Sequence, residues 1–498
     1  MRKLLITAMV LGLTLEVAFA STNGYLLNGY NAKSFGRGGT IVAIPDNSSV
    51  ILTNPAGLAF LQNRSFGLGI GILIPKVQFM NAVNPNTTAD QKYYPMPFSG
   101  YVDPREGSSW AWGFGLNVVG GMGAEYNLNH ALLDTQKYYS NFGYITMGPS
   151  FAYRINDKLA IGAGLQLYYG MLDFKMPFSI DPVANLQGHP VNNPGMTFGQ
   201  MFAAPTNQGG FGYSEVTAYA DMKNLTGFGF GANIGVFYKA NDQWAFGLAY
   251  TSPTTIHLEG KATMDMTAQF NEAFGMAVQG YMAQNPTATL EDAQMAVGQM
   301  FNDMGIDLQQ GVAASYGENK AAFGVPQKLA GGVSFKPTSK WTIGLDVEWI
   351  NWSAAFDKMP IKLKKGANPN INLMINDATA DGSFNYDFPL KWKDAYNIKF
   401  GAEYQVAERT NLRAGFIHGK NPVPDNTIFS IFPAIVENHI TLGFGRGLSD
   451  KLNLDIAYGY TFNKKQKAGS TNLIGQEYAN SRNQLREQLL MTSLTYAF

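Results

Sequence analysis

Residues 228–250 read FGFGANIGVFYKANDQWAFGLAY, two runs in which every second residue is apolar, joined across Asn241-Asp242. Phe228, Phe230, Ala232, Ile234 and Val236 share one face, with Gly229, Gly231, Asn233 and Gly235 on the other. Trp244, Phe246, Leu248 and Tyr250 then oppose Ala245, Gly247 and Ala249. A period of two puts successive side chains on opposite faces of a strand, so each run is a strand and the pair a hairpin. The second face decides the fold. A soluble sandwich also alternates, but it packs its bulky face inward and shows polar or charged residues to water. Here the other face is glycine, alanine and small polar residues. That is the wall of a lipid-immersed barrel, apolar and aromatic outside, small or polar inside.

The pattern recurs. Phe66, Leu68, Ile70, Ile72 and Ile74 oppose Gly67, Gly69 and Gly71; Trp112, Phe114, Leu116 and Val118 oppose Gly113, Gly115 and Asn117. Short turns at Glu106-Gly107, Asn156-Asp157, Asn241-Asp242, Thr338-Ser339, Glu408-Arg409 and Ser449-Asp450 alternate with much longer connections. Six short turns and seven long loops make thirteen connections, hence fourteen strands. They are expected at 64–79, 94–104, 109–126, 140–156, 158–176, 216–240, 243–264, 322–337, 340–365, 386–406, 410–420, 436–447, 450–466 and 486–498. The fold class is therefore all-β, a transmembrane antiparallel barrel with short turns on the periplasmic side and long loops outside. Leu494, Tyr496 and Phe498 carry the alternation to the last residue.

Composition agrees. Only 14% of the 498 residues are charged, against 55 Gly, 25 Tyr and 33 Phe, few charges and many aromatics for a soluble enzyme. Lys plus Arg equals Asp plus Glu at 36 each, which leaves no basic excess for nucleic acid. No cysteine is present, so disulfides, thiolate metal sites and a lipoprotein anchor are excluded. Arg2-Lys3, the apolar run Leu4 to Leu15 and Ala18-Phe19-Ala20 form a signal peptide, with cleavage expected after Ala20. Beyond it no stretch approaches the roughly 20 apolar residues of a spanning helix, so any membrane span is a barrel. The five histidines are scattered without i, i+4 spacing, and neither a metal site nor a cofactor site is read.

Residues 34–60, SFGRGGTIVAIPDNSSVILTNPAGLAF, break the alternation. Their glycines, prolines and Asp46-Asn47 predict a compact irregular coil, not a strand or helix. Gly36-Arg37-Gly38-Gly39, Asp46-Asn47-Ser48-Ser49 and Asn54-Pro55-Ala56-Gly57-Leu58 near the mature N-terminus resemble the hatch of the FadL/TodX family of outer-membrane transporters of long-chain fatty acids and other hydrocarbons. Trp392-Lys393-Asp394-Ala395-Tyr396, Asn421-Pro422-Val423-Pro424 and the carboxy-terminal strand extend the resemblance over the mature chain. It implies residues 1–20 as signal peptide, 21–62 as a hatch inside the barrel and 63–498 as the barrel. Gly36, Arg37, Gly38, Asn54, Pro55 and Ala56 are then the gate residues, with Asn54, Pro55 and Ala56 on the family's Asn-Pro-Ala motif.

Two long loops break the pattern again. Residues 177–215 hold Phe198, Met201 and Phe202 among Pro, Gly and Asn, and 265–321 carry Phe270, Phe274, Val278 and Met282, then Leu290, Ala293, Val297 and Phe301, at helical spacing. Thr289 with Asp292 caps the second helix. These Met and Phe side chains either form a loop core or also leave an apolar groove; the resemblance implies that substrate is captured between these loops. Gly120, Gly121 and Gly123 near the end of the third strand favour a bulge or bend. They either relieve crowding against the hatch or, as the resemblance implies, mark a kink through which a hydrophobic molecule leaves sideways. Parity puts Asp346, Glu348, Lys399, Glu403, Arg413 and Asp455 inside, as an ion-pair network or with Lys399 and Arg413 holding a substrate carboxylate. The fifth strand, Tyr168-Tyr169-Gly170-Met171-Leu172, lacks a basic residue where the family's carboxylate-binding arginine aligns, which leaves a neutral hydrocarbon open.

The reading is a monomer in the Gram-negative outer membrane that takes up hydrophobic small molecules and is not an enzyme. Its partners are the substrate, outer-membrane lipid and lipopolysaccharide, and the barrel-assembly machinery during biogenesis. A closed structural or adhesive barrel whose loops bind a partner, and an outer-membrane lipid hydrolase, are the rivals.

Overall fold

A computed structural model describes residues 22–105, 107–376 and 382–498. The signal peptide at 1–20 and Glu106 of the first turn lie outside the described residues. The chain forms a closed antiparallel barrel of fourteen strands. They are β1 (Ser65–Met80), β2 (Tyr94–Asp103), β3 (Trp110–His130), β4 (Asp134–Arg154), β5 (Leu159–Ile180), β6 (Val216–Lys239), β7 (Trp244–Thr251 and Thr254–Asp265) and β8 (Ala313–Val325 and Lys328–Phe335). Then follow β9 (Trp341–Ile350 and Lys358–Gly366), β10 (Phe384–Pro389 and Ala395–Ala407), β11 (Thr410–Gly419), β12 (Asn438–Gly447), β13 (Leu452–Lys467) and β14 (Arg482–Ala497). Each pairs with its neighbour in chain order, and the cylinder closes where Arg482 to Ala497 run against Met80 to Ser65.

Closure satisfies the wall's main chain internally, as the bilayer demands. Its outward face is strongly apolar: Phe230 is 78% and Leu165 67% free of protein contact. Near the short turns lies a ring of aromatic pairs, Trp244 with Phe335 (4.3 Å between centroids), Trp341 with Tyr404 (4.6 Å) and Trp110 with Tyr153 (4.9 Å), the girdle expected at a membrane boundary.

Four strands expected as continuous are each broken in two. Pro253 and Pro326 interrupt β7 and β8 because proline supplies no N–H to a ladder. A helical turn, Trp352–Ala355, splits β9, and residues 390–394 split β10. Side chains lace the breaks together. Tyr250 Oη donates to Gln327 Oε1 (2.9 Å), Gln327 Nε2 to Asn351 Oδ1 (3.0 Å), and Asn351 Nδ2 to Asp394 Oδ1 (3.0 Å). The strands also run beyond the bounds read from sequence, β5 to Ile180 and β8 from Ala313, so the loops are shorter than 177–215 and 265–321.

The hatch fills the lower lumen. It is not the plain coil expected from its turn residues, since it contains helical turns at Ala32–Gly36, Val50–Thr53 and Pro55–Phe60. Asn31 Oδ1 accepts from Lys33 N–H (2.8 Å) and so caps the first. Wall glycines are set by how closely this segment approaches. A Cβ at Gly401 would lie 2.1 Å from the Arg37 carbonyl oxygen, one at Gly415 2.2 Å from Gly38 N, and one at Gly235 2.0 Å from Asn54 Oδ1. No real Cβ tolerates those distances.

The small or polar interior expected throughout is confined to this lower half. Above it the inward positions are aromatic: Tyr138, Phe142 and Tyr144 of β4 and Phe323 of β8 are buried with Trp352, Phe356, Trp392, Phe429 and Phe432. Where no hatch main chain occupies the lumen, large side chains fill it.

Over the long-loop end, 468–481 is stapled by Glu477, which is half-buried and accepts from Tyr138 Oη (2.6 Å). Burial pushes the Glu477 carboxyl up to about 7 against the hydrogen bonds from Tyr138 and Tyr478. A carboxyl that holds its proton more tightly when docked stabilises the docked loop below its ordinary range, and that contribution fades as pH rises toward 7. Amide exchange in 468–481 should therefore quicken between pH 5 and pH 8, and Glu477→Gln should remove that dependence beyond the intrinsic rate change. In the wall, Gly401→Val should displace the hatch without preventing barrel closure, read as raised single-channel conductance of a barrel with unchanged heat-modifiable migration.

Candidate functional site

Polar side chains of the hatch fix it to the wall. Asn54 donates from Nδ2 to the carbonyl oxygens of Val42 (2.9 Å) and Val236 of β6 (3.0 Å), while its Oδ1 accepts from Ala56 N–H (3.3 Å). Pro55 opens the helical turn, where its missing N–H is not needed. Pro55 and Ala56 rest on Gly162 of β5, and Gly36 on Gly443 of β12. Gly38 N–H donates to Thr441 Oγ1 (3.0 Å).

Charges bind the same contact. Arg37, fully buried, meets Asp46 at 2.9 Å and Glu403 of β10 at 3.4 Å. Glu403 also takes Arg413 of β11, which reaches Asp455 of β13 at 2.6 Å. Asp346 of β9 accepts from the N–H groups of Ile41 (2.8 Å) and Val42 (3.0 Å), and Lys399 of β10 pairs with Glu348 at 2.9 Å. Buried ions are tolerated because each has a partner. Burial pushes the Asp46 carboxyl up, yet Arg37 and Lys33 outweigh it and hold it well below the usual carboxylate range. The sign of that shift makes its anchoring fully present at neutral pH and lost only on acidification below that range.

Above this layer, Tyr25 is the centre of a packed aromatic cluster. Its ring lies 4.7 Å from Trp352, 4.9 Å from Phe356, 5.3 Å from Phe142 and 5.6 Å from Tyr144, and its hydroxyl donates to the Gly324 carbonyl (2.7 Å). Phe174, Phe388, Phe429 and Phe432 continue the apolar lining.

Beside the cluster the wall is incomplete. Pairing of β2 with β3 stops at Phe98 and Asn117, although both strands continue. A bulge follows between Val118 and Gly120 on β3. Into this place comes the hatch's first hairpin: Leu26 pairs with Gly120, and Gly121 N–H donates to the Tyr25 carbonyl (2.8 Å). A Cβ at Gly120 would lie 2.3 Å from that oxygen. Gly123 backs onto the Ser140 carbonyl of β4. A cavity of about 20 Å³ bounded by Gly24, Val77, Tyr94, Gly121, Gly123 and Leu485 remains there, room for a single water. The larger recesses, about 420 and 640 Å³, open at the short-turn end beneath the hatch among Lys33, Asp46, Lys239, Arg64, Asp103 and Arg154. The larger is mainly polar, whereas the smaller also has Ile44, Phe60, Leu61, Phe237 and Trp244 in its wall.

In the loops, Phe198 and Phe202 are buried and Met201 partly so; Phe202 stacks toward Phe211 (5.4 Å) and Tyr213. Phe270 and Phe274 of the helix Thr267–Gln284 both meet Phe301 of Leu290–Asp303, at 5.0 and 5.8 Å, with Met282 partly buried nearby. Thr289 and Asp292 form the expected capping box. Tyr213 Oη donates to Met276 Sδ (3.4 Å) and Val191 N–H to the Met304 carbonyl (3.0 Å), so the two loops are joined to each other. The hatch residues thus fall in two groups, Gly36, Arg37 and Gly38 against β10 to β12 beside Arg413 and Lys399, and Asn54, Pro55 and Ala56 against β5 and β6, while the loop residues form a separate group at the far end.

The profile of one family, described as outer membrane protein transport protein (OMPP1/FadL/TodX), matches residues 13–498. The chain belongs to that family. It is accordingly an outer-membrane transport protein and not an enzyme. Among its relatives, outer membrane protein P1 of Haemophilus influenzae is 23% identical over 92% of this chain and 91% of its own length. The long-chain fatty acid transport protein of Escherichia coli is 22% identical over 91% and 92%. In fold, the Pseudomonas putida toluene transporter TodX superposes with TM-score 0.68 at 18% identity over 95% of this chain and 99% of TodX. A Pseudomonas aeruginosa FadL homologue gives 0.69 at 18% over 95% and 100%.

Reading the sequence for alternation alone missed Tyr25, Phe142, Tyr144, Trp352, Phe356 and Trp392. The signal was present in YYSNFGY, residues 138–144, where bulky residues occupy both parities. Arg37→Ala leaves Asp46 and Glu403 short of a buried partner, a change that costs about 3–5 kcal/mol. Amide-exchange protection across residues 32–60 should fall by an amount of that order while the lower wall strands keep theirs.

Proposed function

We propose that this family member passes neutral hydrophobic small molecules inward across the outer membrane. Capture takes place between the long loops, at Phe198, Met201, Phe202, Phe270, Phe274 and Met282. The molecule then passes among the aromatic rings packed around Tyr25, which must part to admit it. Burying apolar surface there stabilises it by roughly 25 cal/mol per Å² relative to water. The hatch, hinged around Asn54, Pro55 and Ala56 and steadied by Gly36, Arg37 and Gly38, is the gate. Release is sideways, past Gly120, Gly121 and Gly123 of β3, into the bilayer.

The observation that carries this reading is the unpaired stretch of wall beside β3, stoppered from within by the hatch's first hairpin. The remaining space admits one water and no hydrocarbon, so the hairpin must withdraw before anything passes. Names of relatives and structural neighbours, a long-chain fatty acid transport protein and a toluene transporter, fit an apolar cargo. A neutral one is favoured because Lys399, Arg413 and Arg37 are already engaged by Glu348, Glu403, Asp455 and Asp46. Each would have to give up a buried partner to hold a carboxylate.

Cells lacking their own transporter of this class should take up radiolabelled toluene faster when they carry this gene, with a smaller gain for oleate. Equal uptake with and without the protein would leave a closed structural barrel. Replacing Asn54 and Pro55 by Ala should lower uptake several-fold without changing heat-modifiable migration.

A further inference from the structure

On the outside of the barrel, below the loop 468–481, β13, β14 and β1 present an unusual face above the apolar band. Their outward positions there are Lys465 and Lys467, then Arg482, Gln484 and Arg486, then Lys76 and Gln78. Register sets Lys467 beside Arg482 and Arg486 beside Lys76, with Lys465 beside Gln484. Directly opposed side chains have Cβ atoms about 5 Å apart, and like charges so placed repel. No carboxylate occupies an outward position on these stretches, because Asp455 and Glu487 point inward and are buried. None of the five cations has an ion-pair partner among the described residues; the pairs nearby belong to Lys464 with Glu437 and Lys92 with Glu125. On β7 to β10 outward Lys320, Lys358 and Lys365 pair with Glu259, Asp387 and Glu318, so three carboxylates share that face, although Lys362 stands beside Lys320 there and neither it nor Lys261 nor Lys364 has an ion-pair partner among the described residues.

Height places this face at the headgroups. Tyr496, in the aromatic girdle of the short-turn end, lies 496 − 486 = 10 residues below Arg486 on β14. Ten residues span roughly 33 Å of strand, and at a tilt of about 40° roughly 25 Å of membrane, the full apolar band. Immediately beneath the cations come Ile72, Ile74, Leu490, Tyr458 and Tyr460, with Tyr458 Oη donating to Gln488 Oε1 (3.2 Å).

We propose that this face is a binding site for a phosphorylated glycolipid of the outer leaflet, lipopolysaccharide. Its acyl chains lie on the isoleucine and tyrosine rows, and its phosphates neutralise the two cation pairs. Guanidinium forks grip phosphate oxygens in pairs, and lysine adds a point charge. The pairs form two tiers, four residues or roughly 13 Å apart along β14. A glycerophospholipid with one phosphate reaches one tier; a sugar headgroup phosphorylated at more than one level reaches both. The inference rests on the membrane placement alone and is independent of gate and cargo.

The test is binding of deep-rough lipopolysaccharide to the purified full-length barrel in non-ionic detergent, followed by native mass spectrometry. The unaltered protein should retain the diphosphorylated form and bind its dephosphorylated form and phosphatidylglycerol at least about tenfold more weakly. Lys76→Gln, Lys467→Gln, Arg482→Gln and Arg486→Gln together should cause a loss of the same size. Lys320→Gln with Lys358→Gln, on the paired face, should not, and millimolar inorganic phosphate should not displace the lipid. Equal retention by the fourfold variant, equal binding of the dephosphorylated form or of phosphatidylglycerol, displacement by phosphate, or a second copy of the chain in place of lipid would each overturn the proposal. If the fourfold variant fails to insert, the dephosphorylation arm on the unaltered protein decides.

Discussion

The main chain of the hatch lies directly against the main chain of the wall, and that contact governs the rest of the molecule. It is possible only where the wall has no side chain, at positions such as Gly162, Gly235, Gly401 and Gly415. A plug held this closely excludes water, so its polar groups must be answered locally. Asn54 spans hatch and wall, Asp346 accepts two hatch N–H groups, and Arg37 ties Asp46 to the Glu403 of β10. The lower lumen is thus a sealed and specifically wired layer.

Above that layer the physics changes. With no hatch main chain to receive, the inward positions carry rings, and several of them meet at Tyr25 of the hatch. Tyr25 also supplies the carbonyl that engages Gly121 at the wall's unpaired stretch. One short hairpin therefore both covers the unpaired side of the barrel and contributes a ring to the aromatic cluster.

Much of this was legible because a lipid-facing wall permits only one pattern. The runs around Phe228 and Trp244, the turn at Asn241-Asp242 and the capping residues Thr289 and Asp292 each act over a few residues, and the strands, the hairpin and the loop helix are found where those residues place them. Two of the hatch turns were hidden because single capping side chains, Asn31 for Ala32–Gly36 and Asn54 for Pro55–Phe60, outweigh the breaker residues nearby. The divisions of β7 and β8 followed from Pro253 and Pro326, which alternation on either side masked. The aromatic interior could not be read by parity, since an apolar residue facing lipid and one facing a dry interior look the same. Contacts such as Arg37 with Glu403 join residues 366 positions apart and leave no local trace.

Whether the hatch moves as a body during passage is the central claim, and the absence of native cysteine makes it directly testable. A Cβ at Gly115 would lie 3.4 Å from Ile51 Cγ2 and meet only the Asn117 amide more closely, at 3.2 Å, within reach of a disulfide, so Ile51→Cys with Gly115→Cys should cross-link hatch to β3. Toluene uptake should fall on oxidation to that of cells lacking the protein and return with dithiothreitol. Equal uptake by the oxidised and reduced forms would contradict the account.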